Sequence, residues 1–267
     1  MKYYGQIFAF ELPTCLKLIN LVKNRDSLTL PNKDLISEEL GMGIPKVEAL
    51  LQYLEICGII KNKELTYLGK KIIDMDGDYD FIEPLIYYGL VKDPKKNGHY
   101  IYSSLINDTL YNYWITGIET IEKQNLLKET MSNNIRQLGN WEKLNGIVLN
   151  ALTNTQNGFG KMGLLEKIED TDQYEIHSYW IEPLIGAYIL YDLWSDHQAS
   201  MGINNIVNDK YNLGKMFLMD EEAIQETLGE IQALGLINIE KGAGLNQIRI
   251  NEKYTKKDIL DMIVKEV

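Results

Sequence analysis

Leu16, Ile19, Leu21 and Val22 recur near helical spacing within ELPTCLKLINLVKN (11–24), which predicts a first helix. Pro31-Asn32 opens the next element, with Asn32 as its N-cap and Leu35, Ile36 and Leu40 on its apolar side. Gly41-Met42-Gly43 supplies a tight turn, because glycine accepts the positive φ that ends a helix. Pro45 falls in a first helical turn, where a proline is tolerated. Val47, Leu50, Leu51 and Leu54 then occupy i, i+3, i+4 and i+7 of a third helix, which Gly58 stops. Ile59-Ile60 reads as a short strand and Lys61-Asn62-Lys63 as a turn. Leu65-Thr66-Tyr67-Leu68 is its return or a helix entry. Three helices and a small ribbon make residues 1–75 an N-terminal winged helix-turn-helix.

The pattern over 76–200 is mostly helical, carried by FIEPLIYYGLV, SLINDTLYNYWITGIETIEKQ, NWEKLNGIVLNALT and WIEPLIGAYILYDLWSD. Polar breaks at 93–98 and 153–163 separate these pieces, and 164–179 reads as a small hairpin-bearing insertion. Over 201–267 the opening theme returns. Asp220 is placed to cap a helix with the stripe Ile224, Leu228, Ile231 and Leu234. Leu236–Ile239 and Ile248–Ile250 then flank Gly242-Ala243-Gly244 as strand, turn and strand. The expected fold is mainly α with small β wings: a winged helix-turn-helix, a helical middle and a C-terminal winged-helix-like unit.

Charge divides along the same lines. The chain has 267 residues and a formal net charge of −11, but residues 1–73 carry +2, residues 74–200 carry −10 and residues 201–267 carry −3. Only the opening segment is electrostatically permissive for nucleic acid. No apolar run is long enough for a membrane span, and no basic-then-apolar leader opens the chain. Cys15 and Cys57 sit at apolar helical positions without CxxC spacing, as buried thiols of a cytoplasmic protein do.

Candidate chemistry concentrates in that opening unit. Lys46, Ala49, Gln52 and Tyr53 lie off the core stripe of the third helix. Gln52 can pair with an adenine edge, Ala49 can meet a thymine methyl and Lys46 can reach a phosphate or a guanine. Lys33, Lys61, Lys63, Lys70 and Lys71 can hold the backbone from the neighbouring helix and ribbon, whereas Glu48 and Glu55 repel phosphates. The helix after Asp220 carries Glu221, Glu222, Glu226 and Glu230 and no cation, so it is unsuited to a major groove. Asp74, Asp76, Asp78 and Asp80 alternate like a calcium loop, but the sixth position is Tyr79 and the twelfth Leu85. GFGKMG at 158–163 satisfies G-x-G-x-x-G without a preceding apolar strand, so it reads as a loop turn. His99, His177 and His197 are scattered, and no HExxH, G-x-S-x-G or P-loop is present. Asp196-His197 would diverge on a helix, and Trp114, Trp180 and Trp194 read as helical core. Catalytic residues, cofactors and metal ligands are therefore not assigned, and the expected activity is non-enzymatic.

Taken together, YGQIFAFELPTCLKLINLV, LGMGIPKVEALLQYLEICGII, LTYLGKKIIDMDGDYDFIEPL, MGLLEK, IEPLIGAYILYDLW, KMFLMDEEAI and AGLNQI resemble the bacterial domain-of-unknown-function family 4007 over almost the whole chain. The family tends to open with a His-Glu-Thr-Phe-like motif where this chain has Gln6-Ile7-Phe8-Ala9-Phe10. It also tends to show a histidine where Tyr87-Tyr88-Gly89 stand, and a more basic second helix. The resemblance implies a winged-helix protein associated with DNA-modification and phage-defence gene sets, including phosphorothioate-type systems. The expected partners are double-stranded DNA, met by the opening unit, and proteins of such a complex, met by the acidic body; the protein is expected to bind no membrane. A homodimer is compatible with this reading. The rival readings are an assembly subunit that never touches DNA and an enzyme with an unrecognised site in the helical middle.

Overall fold

In the computed structural model the described residues are 8–23, 28–96, 99–126, 141–242 and 244–267. Gln6 and Ile7 of the opening segment, the end of the polar break at Asn97-Gly98, Asn140 and Ala243 lie outside them. The fold is mainly helical, with three small antiparallel sheets.

Helices α1 (Leu12–Lys23), α2 (Lys33–Leu40) and α3 (Ile44–Ile56) form as their apolar spacing dictates. Asn32 caps α2 by accepting from the Leu35 N–H, and Gly41 ends it at φ 63° in the left-handed region. Strands β1 (Ile60–Lys61) and β2 (Glu64–Leu65) make a hairpin whose two-residue turn, Asn62-Lys63, has φ 51° and 66°. Two positive φ values in succession are the mark of a type I′ turn, whose twist matches the flanking strands. Residues 28–30 lie against the outer side of β2: the Leu30 N–H donates to Lys63 O at 2.8 Å and the Leu65 N–H to Leu28 O at 3.0 Å. Helix α4 (Tyr67–Asp74) follows, capped by Thr66.

The closing part repeats that order with one helix more before its hairpin. Helix α9 (Pro183–Leu193) leads to β6 (Met201–Gly202), α10 (Ile203–Asn208), α11 (Leu213–Phe217) and α12 (Glu221–Ala233). Then come β7 (Ile237–Gly242), β8 (Leu245–Ile250) and α13 (Lys256–Glu266). Its strands run in the order β6-β8-β7, so an early strand pairs with the second arm of the hairpin, as 28–30 does with β2. The helices after the two hairpins meet: Tyr67 Oη donates to Asp261 at 2.6 Å and Lys71 Nζ pairs with the same carboxylate at 2.7 Å.

Between them lie α5 (Tyr79–Val91), α6 (Tyr100–Ser104), a π-helical segment (Leu105–Leu110), α7 (Tyr111–Ile115) and β3 (Thr120–Glu122). Next follow α8 (Trp141–Thr153), β4 (Leu165–Lys167) and β5 (Gln173–Ile176). The helix expected to continue past residue 115 stops there, because Gly117 turns the chain at φ 75° and β3 joins the sheet β3-β5-β4. Buried Asn107 stabilises the π segment against the closing part, taking the Tyr211 N–H at 3.0 Å and donating to Val91 O. The pentapeptide Ile-Glu-Pro-Leu-Ile occurs twice, at 82–86 inside α5 and at 181–185 across the start of α9. Buried side chains of all three regions join one core cluster. Three expected core residues are not in it: Leu35 is half-buried on α2, Leu234 is half exposed at the end of α12, and Trp180 is 49% exposed in a non-helical segment. No helix among the described residues is long and apolar enough to cross a membrane.

Candidate functional site

Helix α3 is gripped from two sides, and this decides which of its residues face solvent. Val47, Leu50, Leu51, Tyr53 and Leu54 are buried, leaving a narrow stripe of Glu48, Gln52 and Glu55 exposed at i, i+4 and i+7. Tyr53, expected at the surface, is only 5% exposed. Its hydroxyl donates to Phe8 O at 2.9 Å and its ring meets Phe10 edge-on at 5.5 Å, because a second layer built from residues 8–10 and 99–102 covers that flank. Ala49 is half-buried. Lys46 is engaged with Glu11 at 2.8 Å, and Lys33 forms an ion pair with Glu48. The helix thus offers Gln52 between two carboxylates.

The hairpin offers the opposite charge. Lys61 and Lys63 are exposed at its tip and Lys70 is half-exposed on α4; among the described residues none of the three stands in an ion pair. In the closing unit the equivalent helix exposes Glu221, Glu222, Glu226 and Glu230. The cations nearby are engaged: Arg249 pairs with Glu240 at 2.7 Å, and Lys241 donates to Gln225 at 3.2 Å.

A second site was not legible in the spacing. Where α7 turns into β3, a half-open cavity of about 700 Å³ is lined by Trp114, Ile118, Glu119, Glu175, His177 and Ser178. Strand β5 is central in its sheet, with Glu175 opposite Thr120 on one side and Glu166 on the other. The imidazole Nε2 of His177 lies 3.5 Å from the Glu175 carboxylate. The alternation Glu175, His177 along a strand was the available signal, but pairing with Glu166 needed the hairpin register.

Elsewhere the titratable groups are closed in. Burial pushes Glu83 up to about 7, with Lys161 acting in the opposite direction; among the described residues its Oε1 accepts no hydrogen bond. Burial holds the Cys57 thiol at about 12 and raises Cys15 well above its ordinary value, so both free thiols are unreactive. His99 is lowered to about 4 by burial.

The model of DUF4007, described as a protein of unknown function, matches residues 16–264. The chain belongs to the DUF4007 family. No curated protein matches it. Two solved structures share its fold. The one described as "SspB crystal structure" has a TM-score of 0.70 at 14% identity, covering 95% of this chain and 84% of that one. The one described as "Magnesium ion-bound SspB crystal structure" has a TM-score of 0.67 at 13% identity, covering 95% and 83%. At such identity the likeness is one of fold. This DUF4007 chain therefore has a whole-length structural relative but no transferred chemistry.

Proposed function

We propose that this DUF4007 protein is a non-enzymatic DNA-associated accessory subunit of a prokaryotic DNA-modification or phage-defence system. Its opening unit acts as a winged helix that meets duplex DNA, and its acidic body docks partner proteins. The observation that carries this reading is the hairpin tip: Lys61 and Lys63 project, without ion-pair partners among the described residues, from the one segment of positive net charge. The order of strands 28–30, β2 and β1 beside α3 supports the winged-helix reading, as does the matching order in the closing unit. Contact shifts from the helix to the hairpin in this proposal, because Glu48 and Glu55 flank Gln52 while Lys46 and Lys33 already have carboxylate partners. The gene-set association is what the resemblance to the family implies, and this reading assigns the site no cofactor.

Fluorescence anisotropy of a labelled duplex over a salt series tests it. Binding should weaken as salt rises, and Lys61→Glu with Lys63→Glu should reduce the slope of log affinity against log salt by roughly 2, about one per lost phosphate contact. A flat trace at the lowest salt removes DNA from the reading. The acidic helix α12 favours the second reading in that event, an assembly subunit that binds proteins alone.

A further inference from the structure

Glu166, Glu175 and His177 each present a ligand atom, and these atoms all lie within 4.8 Å of one another. The register explains why. Glu166 and Glu175 are directly opposed across β4 and β5, and His177 follows two residues after Glu175 on the same face. Like charges directly opposite in an antiparallel pair are destabilising. Among the described residues neither carboxylate forms an ion pair with a lysine or arginine, and the imidazole of His177, 46% exposed, lies beside the Glu175 carboxylate. The third carboxylate of the neighbourhood, Glu119, lines the same cavity. The sheet thus concentrates negative charge around an imidazole at the mouth of a hollow.

We propose that Glu166, Glu175 and His177 hold a divalent transition-metal ion whose remaining coordination positions face the cavity under Trp114. Metal–oxygen and metal–nitrogen bonds of about 2.0–2.2 Å place ligand atoms on one ion about 3–4 Å apart. Side-chain rotation can close that spacing, since all three groups are half or fully exposed, while the strand pairing holds the backbones of Glu166 and Glu175 and the His177 N–H donates to Leu164 O at 3.1 Å. Two carboxylates and one imidazole suit manganese or zinc better than calcium, which takes only oxygen. A closed structural zinc site has four protein ligands, whereas this one has three, so water or a substrate oxygen completes it from the cavity. The site is independent of the DNA-contact reading: it lies on β4 and β5, apart in sequence from the opening hairpin.

Titration calorimetry of the full chain with MnCl₂, ZnCl₂ and MgCl₂ tests it, beside Glu175→Gln, Glu166→Gln, His177→Ala and the surface control Glu222→Gln. The expected result is one equivalent of Mn²⁺ or Zn²⁺ bound by the wild type and the control, with Mg²⁺ weaker. Losing an outer-shell partner already costs about 10- to 100-fold in metal affinity, so each ligand variant should lose at least about 100-fold. Nitrogen coupling in the Mn²⁺ electron spin echo spectrum should vanish in His177→Ala, a readout that a change in folding alone does not produce while circular dichroism stays unaltered. Equal affinity in all four variants, or several weak equivalents bound alike by each, overturns the site.

Discussion

The opening and closing units share an order of elements and differ in nearly everything that touches solvent. The opening unit runs helix, strand segment, helix, helix, hairpin, helix; the closing unit runs the same way with one more helix before its hairpin, and each adds its early strand to the second arm of its hairpin. The opening hairpin is short, turns on two left-handed residues and ends in exposed lysines; the closing one is longer and turns through glycines at φ 123° and 83°. The helix before it exposes Gln52 between two carboxylates in the first unit and four glutamates in the second. A common architecture therefore fixes which positions are buried, while the exposed positions are free to diverge toward different partners.

The largest effect that bears on this comparison comes from two glycines. A Cβ on Gly69 would meet Ile59 O at 2.2 Å, and one on Gly214 would meet Val207 O at 2.2 Å, both backbone atoms that cannot swing away. Gly69→Ala and Gly214→Ala should each lower stability by about 3 kcal/mol. If the shared core makes the units one cooperative body, calorimetry will show a single transition lowered in both variants. Two separable transitions would break that picture.

Next in size is the repeated pentapeptide. Glu83 is buried and Glu182, in the same Ile-Glu-Pro-Leu-Ile context, is exposed. With its folded pKa raised from 4.5 to about 7, Glu83 contributes stability that is present below pH 4.5 and lost as pH rises through 7. Glu83→Gln should therefore raise stability at pH 8 by up to about 3 kcal/mol and change little at pH 4. Glu182→Gln should leave the thermal midpoint where it is at both pH values. A pH-independent effect of Glu83→Gln would mean that the carboxyl is ionised and solvated in the fold.

The caps of the two helices that follow the hairpins give a smaller, paired effect. Thr66 accepts from the Gly69 N–H at 3.1 Å and donates to Gly58 O at 2.6 Å, so it ties α4 to the end of α3. Thr255 forms a capping box with Asp258 and reaches no other element in doing so. Thr66→Ala should cost about 1–2 kcal/mol and Thr255→Ala about 1 kcal/mol, read from urea midpoints. A reversed order would place the closing cap at the more constrained junction.

The smallest effect is the contact between the units. Hydrogen bonds from Lys71 and Tyr67 hold the Asp261 carboxyl below the usual range. Its contribution is present above the ordinary carboxylate pKa and lost as pH falls through the lowered one. Asp261→Asn should lower the thermal midpoint by roughly 1–3 °C at pH 7, and the drop should shrink as pH falls through the lowered pKa. A drop of constant size across an acid titration would assign the effect to packing in place of charge.

Much of this was legible in the chain. Asn32, Gly41, Pro45 and Asp220 mark helix ends by local chemistry, and all four occupy the positions their side chains predict. The hairpin between 60 and 65 and the one between 165 and 176 follow from short-range turn signals, and family membership followed from the same segments. Periodicity misjudged Tyr53 and Leu234. It registers one apolar face of a helix, and α3 is covered on two, while α12 ends before Leu234 turns inward.

Sequence alone therefore determined the opening helices, the caps at Asn32 and Asp220 and the division of charge, because each depends on residues within a turn or two of one another. Tertiary structure decided the rest. Whether Glu83 or its twin Glu182 is buried, whether Lys46 is free or held by Glu11, and whether Glu166 stands beside Glu175 and His177 all depend on partners distant along the chain or on strand register. Local patterns are blind to those partners, since desolvation and ion pairing are set by whatever the fold brings within a few ångströms.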